Sequence, residues 1–314
     1  MAAYIKRGKT KRRRTLAGTR SLQLWAMCSV PIALVILFSY VPMAGIILAF
    51  KKYTAPLGIF GSHWVGMKNF SFFFLSNDAL QVTWNTLSMN FLFIVSGTVC
   101  AVGLALLFYE IKSRKALKVY QTVWITPNFL SWVMVSIMAY AFLEPKYGML
   151  NVILRYFGIQ GPNWYARPKA WPAILTIASV WKSVGMDCLI YYASLIGIDT
   201  ELIEAARIDG ANRRAIVRFI ILPQLLSLIS ILTIMKIGGI FRADFGLFYQ
   251  LTRDTPQLYS VTDVIDTYIF RTMYQSANMG VSTAIGLLQS VVGFILVLLT
   301  NHFSKKIDPE IGLF

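Results

Sequence analysis

Six stretches of roughly 20 or more mostly apolar residues recur along the chain, each long enough to cross a bilayer as a helix. In lipid a spanning segment must satisfy its own backbone polar groups, so the default solution is the helix. The alternative, a β-barrel, needs ~10-residue strands of alternating polarity, and these runs are continuous. Only 14% of residues are charged and mean hydropathy is +0.59, whereas soluble domains carry about a quarter charged residues. The chain therefore reads as an all-α integral membrane protein.

The spacing places spans near residues 22–50, 84–109, 120–142, 171–195, 221–241 and 280–303. A basic tail (1–21) precedes one membrane domain (22–303), and a short tail (304–314) follows. We find no internal repeat or soluble domain. The segment "KRGKTKRRRTLAGTR" holds eight lysines and arginines and no acid. The apolar stretch after it is too long for a signal peptide and lacks a convincing cleavage site, so it is expected to remain as the first span. Six spans then put both termini on the cytosolic side. The segments assigned to that side carry 18 lysines and arginines in 67 residues, against 10 in 99 for the external ones, in keeping with the positive-inside rule. These charges sit at span ends, so the net charge of +16 implies topology and lipid headgroups rather than nucleic acid.

Cys28, Cys100 and Cys188 lie far apart inside apolar runs, and His63 and His302 are isolated. Neither a disulfide framework nor a metal cluster is expected. There is no phosphate-binding G-x-x-x-x-G-K-[ST], G-x-S-x-G or H-E-x-x-H pattern. No cofactor is expected on this chain, and no enzymatic activity of its own.

One loop, 196–220, departs from a plain connector. Seven charges lie between Glu201 and Arg218, with Gly210 between two helix-like segments. Asp199 or Thr200 can cap a helix carrying Glu201 and Glu204 in its first turn, where the macrodipole favours acids. Gly210 suits the turn past that helix, Asn212 can cap a second starting at Arg213, and Pro223 falls in the first turns of the next span. Ala205 and Ala206 allow close approach of another surface, with Glu204, Arg207 and Asp209 as polar contacts around them. The pattern describes a rigid elbow fit for docking, or a solvated amphipathic loop that fixes topology.

Residues 204–223, "EAARIDGANRRAIVRFIILP", resemble the EAA signature of binding-protein-dependent ABC importer permeases: E-A-A, three residues, G, nine residues, I, one residue, L-P. Glu204, Ala205, Ala206, Gly210, Ile220, Leu222 and Pro223 match at that spacing. The basic start, "VGMKNFSFFF" (65–74), "WITPNFLSWVMVS" (124–136) and "KKIDPEIGLF" (305–314) are similar to permeases for oligosaccharides and polysaccharide fragments. The resemblance implies a type I importer permease fold. It implies a coupling helix that enters a cleft of a cytosolic ATPase subunit, with Glu204 as polar contact, Ala205 and Ala206 as packing face and Gly210 as turn. It also implies a second permease, two ATPase subunits that bind ATP and Mg, an external solute-binding protein and a bacterial inner-membrane location.

Ionisable, aromatic and hydrogen-bonding residues within spans mark a candidate substrate path: Asn128, Ser131, Trp181, Lys182, Asp187, Tyr191, Tyr192, Lys236 and Gln289. Trp181, Tyr191 and Tyr192 offer platforms for sugar rings, or simply pack. Lys182, Lys236, Arg242 and Arg271 suit an acidic saccharide such as a uronate oligomer, or belong to internal pairs with Asp187, Asp244 and Asp266. The resulting reading is an ATP-driven importer permease for oligosaccharides. A permease for a non-sugar solute, an ion-coupled secondary transporter and a non-transporting scaffold are the rivals. Residues 260–276 are expected to form an external amphipathic helix with Val261, Val264, Ile265, Tyr268 and Ile269 on one face.

Overall fold

The computed structural model describes residues 24–76 and 78–307. The expected basic tail and residues 308–314 of the expected C-terminal tail lie outside the described residues. Among the described residues, five helices are long and apolar enough to cross a membrane, and a bent pair makes six if counted as one span.

The first span, α1 (Leu24–Phe50), is strongly apolar, yet only 6% of its most apolar window is buried by the rest of the chain. Its helix widens to a π turn at Ile36–Tyr40, where the Val41 N–H reaches back to the Ile36 carbonyl. Pro42 follows at once. Proline lacks a donor and its ring collides with the carbonyl four residues back, and a wider turn relieves both. The span ends in a two-residue strand β1 (Lys51–Lys52), antiparallel to β2 (His63–Trp64), with Phe50 stacked on Trp64. The short helix α2 (Lys68–Leu75) is tied back by Asn69, whose Nδ2 donates to Ala49 O (2.9 Å) and Lys51 O (3.0 Å).

Helix α3 (Asp78–Tyr109) has 32 residues, about 48 Å at 1.5 Å per residue, more than a bilayer's hydrocarbon thickness. The segment expected as one span at 120–142 is two helices, α4 (Arg114–Phe129) and α5 (Trp132–Leu143), bent by 99°. This corrects the sequence expectation. Pro127 and the extended backbone at Leu130 and Ser131 end the first helix. Ser131 then caps the second, accepting from the Met134 N–H at 3.3 Å.

Helix α6 (Met149–Tyr156) leads to α7 (Pro168–Ile196), which packs along α3. The elbow helix α8 (Thr200–Ile208) precedes α9 (Arg213–Gly238), which starts at Arg213 as expected for the helix capped by Asn212 and runs on without a break into the span expected from 221. A second π turn, Val217–Ile221, again comes just before a Leu/Val–Pro step, here Leu222–Pro223. In 260–276 the expected single helix is broken in two: a helical turn, Tyr259–Thr262, ends at Asp263 and Val264, which are extended, and the regular helix α10 (Ile265–Tyr274) follows. Val264 and Ile265 are buried, and Tyr268 and Ile269 pack toward Val281 and Ile285 of α11 (Met279–Ile307). This face is packed against the bundle and does not lie free on it.

Among the described residues, three buried clusters run along the bundle. One, at the elbow end, joins α3, α7, α8 and α9 through Ala105, Phe108, Leu195, Ile203 and Ile216. A middle one centres on Trp171, Leu175 and Phe248. The third, at the opposite end, joins Phe73, Val82, Ile265 and Val281. There, Asn85 Nδ2 donates to Asp263 O at 3.0 Å, fixing the segment before α10 to the start of α3.

Candidate functional sites: the elbow and the intramembrane cavity

The elbow is built by three local devices. The Asp199 carboxylate accepts from the Glu201 N–H (2.9 Å) and starts α8. Past its end, the Ala211 N–H donates to Ala206 O (2.9 Å) and the Gly210 N–H to Arg207 O (3.1 Å). This is the paired pattern of a Schellman turn, with Gly210 at φ +83° supplying the left-handed residue. Asn212 then accepts from the Ala215 N–H at 2.9 Å and opens α9. Arg213 Nε pairs with Glu110 Oε1 at 2.6 Å, fastening the elbow to the end of α3.

The helix has two faces. Ile203 is buried and Ala206 half-buried against the cluster below, while Glu204, Ala205, Arg207, Asp209 and Gly210 are exposed. Leu202 and Ile208 are exposed as well, Ile208 by 86%. Leu202, Ala205 and Ile208, three residues apart, make an outward apolar strip flanked by Glu201, Glu204 and Arg207. Sequence reading named the alanines and passed over Leu202 and Ile208. Their three-residue spacing opposite Ile203 was the available signal.

The second locus lies between α3, α7 and α9. A cavity of about 330 Å³ is lined by Asn90, Ser179, Ser183, Asp187, Lys236, Arg242 and apolar neighbours. Lys236 Nζ lies 2.6 Å from Asp187 Oδ2. At the end of α9 the backbone leaves the helix after Gly238, and Asn90 Nδ2 holds it by donating to Ile240 O (2.7 Å) and Arg242 O (3.0 Å). Irregular backbone at membrane depth is tolerated where it lines a cavity. Asn90, Ser179 and Ser183 were not singled out from sequence. Ser179, Ser183 and Asp187 follow one another at four-residue steps, a polar stripe on one helix face.

The remaining candidates divide. Lys182 Nζ donates to the Asn128 carbonyl (2.9 Å) and sits 5.2 Å from the Trp132 ring centroid, so it steadies the break between α4 and α5. Ser131 is used as a cap. Trp181 lines a separate, almost wholly apolar groove with Trp124 and Ile177. Tyr191 is buried in the packed cluster, and Tyr192 meets Phe108 edge-on, so neither ring is a cavity platform in this conformation. Gln289 is buried and donates to Phe241 O (2.7 Å) and Asp266 Oδ2 (3.1 Å). Only Asp187 and Lys236 of the named path residues meet at the polar cavity.

At the end opposite the elbow, Arg271 bridges Asp263 and Asp254 and covers the Tyr259 ring. Burial raises the Asp263 pKa, a shift that Arg271 and the Thr267 hydroxyl reduce. Burial also raises Asp266 against the opposing Ala243 N–H and Gln289, and pushes Tyr165 up to about 12. Arg271 thus pairs with Asp263 and Asp254, not with Asp266.

Residues 97–309 match the family model described as "Binding-protein-dependent transport system inner membrane component". The polygalacturonan/rhamnogalacturonan transport system permease protein YteP of Bacillus subtilis (strain 168) is 34% identical over 88% of this chain and 85% of its own length. A crystal structure of a bacterial ABC transporter involved in import of the acidic polysaccharide alginate superposes with TM-score 0.84 at 31% identity. It covers 92% of this chain and 97% of that one. The bacterial alginate ABC transporter in complex with an alginate pentasaccharide-bound periplasmic protein gives TM-score 0.82 at 31% identity, covering 92% of this chain and 96% of that one. The chain belongs to the family of binding-protein-dependent transport-system inner-membrane components, the permeases of ABC importers.

Proposed function

We propose that this permease takes up oligosaccharides, acidic ones among them, delivered by an external solute-binding protein and moved by alternating access. The observation that carries the reading is the elbow. A short helix with a capped start and a Schellman-closed end presents Leu202, Ala205 and Ile208 outward, and it packs through Ile203 into the cluster shared with α3 and α9. Such a lever transmits a displacement of a docked subunit to two spans at once. The ATP and Mg sites belong to two partner ATPase subunits, and Glu204, Arg207 and Asp209 supply the polar contacts around the strip. The elbow, residues 196–220, faces the cytosol with both termini, in keeping with the Lys/Arg distribution.

A second permease subunit completes the translocation path. The bare flank of α1 supports this, since neighbouring protein as well as lipid suits so little self-burial. The cavity at Asp187 and Lys236 is this chain's share of the path. The acidic-saccharide preference is supported by the relatives' named substrates and by Arg242, which lines the cavity with no carboxylate within salt-bridge distance among the described residues, Asp266 being its more distant electrostatic neighbour.

The test is uptake by the assembled transporter in vesicles, with uronate and neutral oligomers in competition, for the wild type and Glu204→Lys. ATP-dependent uptake of a uronate oligomer, lost in Glu204→Lys while membrane insertion persists, is expected. Uptake that follows an imposed ion gradient without ATP would replace the reading with an ion-coupled transporter. ATP-dependent uptake of a non-sugar solute alone would remove the saccharide.

A further inference from the structure

Beneath the elbow, on its bundle side, lies a cavity of about 360 Å³ whose lining shares only Arg207 with the docking contacts proposed above. Its apolar wall is Tyr109, Ile203, Ile216, Val217 and Ile221. Its polar groups are Lys112, Arg207, Arg213 and Glu110. Glu110 is already engaged by Arg213 at 2.6 Å. Lys112 and Arg207 have no carboxylate partner among the described residues. The cavity thus has two exposed cations without an ion pair at the rim of an apolar wall.

Its position selects the ligand. Tyr109 is the last residue of α3, and Val217 and Ile221 lie in the first turns of α9. Both helices run from there into their apolar stretches, which puts the cavity at the elbow end of the two spans, on the side the Lys/Arg distribution assigns to the cytosol. Phe219, between Val217 and Ile221 on α9, is 71% exposed and offers surface for an acyl chain. Basic pockets between spans at this level suit anionic phospholipid headgroups. We infer that this cavity binds the phosphate of an anionic phospholipid, held by Lys112 and Arg207, with the glycerol and upper acyl chain on Ile216, Val217 and Ile221. The site does not rest on the substrate proposed above. A lipid here touches α3, the elbow helix and α9 together, so its occupancy tunes the lever's stiffness.

The experiment uses the protein solubilised gently from its membrane with whatever subunits accompany it. Retained lipid is measured by native mass spectrometry during exchange against phosphatidylglycerol or phosphatidylcholine. A third arm adds inorganic phosphate in neutral lipid. Wild type is compared with Lys112→Gln, Lys112→Arg and Lys115→Gln, the last in the first turn of α4, three residues on and outside the cavity lining.

One phosphatidylglycerol is expected to be retained by wild type, Lys112→Arg and Lys115→Gln, with affinity reduced on the order of fivefold in Lys112→Gln. Equal retention by Lys112→Gln and wild type overturns the site. Equal loss in Lys115→Gln reduces it to diffuse headgroup attraction and also overturns it. Competition by inorganic phosphate at equal potency removes the lipid as the source. If Lys112→Gln keeps the lipid but loses a soluble subunit, the cavity is a protein contact and the lipid assignment falls.

Discussion

The Lys236 ammonium lies 2.6 Å from the Asp187 carboxylate, an ion pair that ties α9 to α7 at the wall of the polar cavity. Both side chains keep some access, 33% and 27%, so the pair is worth less than a fully buried one. We expect Lys236→Met or Asp187→Asn to cost about 1–2 kcal/mol, because each leaves the other group unmatched at membrane depth. Transport should fall in both, and the swap Lys236→Asp with Asp187→Lys should recover part of it. Equal uptake by both single variants and the wild type would show that the pair is neither structural nor functional.

Gly210 stands at φ +83°, and the space a Cβ would take there is open, with no other group within 4 Å. The strain of a substitution there is therefore conformational only. Gly210→Ala should cost about 1 kcal/mol through the left-handed backbone. Gly210→Pro should do more, since it fixes φ near −65° and removes the N–H that donates to Arg207 O. The expected result is normal insertion with ATP hydrolysis no longer tied to uptake, graded from alanine to proline. Paired ATPase and uptake measurements in vesicles check it.

Gly185 of α7 is pressed against the end of α4. A Cβ there would stand 2.0 Å from the Trp124 carbonyl oxygen and 2.8 Å from the Ile125 nitrogen. Backbone cannot yield as a side-chain tip does. Gly185→Ala should therefore separate α4 from α7 and destabilise the protein by about 1–3 kcal/mol. A thermal melt in detergent reads the loss, and an unchanged midpoint would contradict this close crossing.

Asp266 makes stability pH-dependent at the end opposite the elbow. Burial raises its folded pKa above the unfolded value, against the Ala243 N–H and Gln289. The folded state then holds the proton more tightly. Its contribution is present below the unfolded pKa and is lost as pH rises through the folded one. Unfolding midpoints measured from mildly acidic to neutral pH should show this loss in wild type and a smaller one in Asp266→Asn.

The spans and elbow were readable because their signals are local. Apolar length, an Asp or Asn before a helix and a glycine after one act within a few residues. The 99° break between α4 and α5 was not read, although Pro127 stood in view. Proline can kink a span or merely start one, and the neighbours decide which. Here the Lys182 ammonium on the Asn128 carbonyl and the Ser131 cap hold the bend. The helix expected over 260–276 is interrupted at Asp263 and Val264 for a similar reason: Asn85 holds the Asp263 carbonyl from a position 178 residues away.

By itself, the sequence determined a helical membrane chain, the positions of its apolar runs though not the bend within 120–142, and an elbow with Gly210 at its turn, since each follows from hydrophobic length and nearby hydrogen bonds. Only the tertiary structure decided which polar residues face one another. Lys236 chose Asp187, Arg271 chose Asp263 and Asp254, Gln289 turned to Asp266, and Tyr191 went into the core. The reason is physical. A buried charge or amide must find its partner wherever packing brings one within reach, and that distance is set by helix rotation and crossing, not by spacing along the chain.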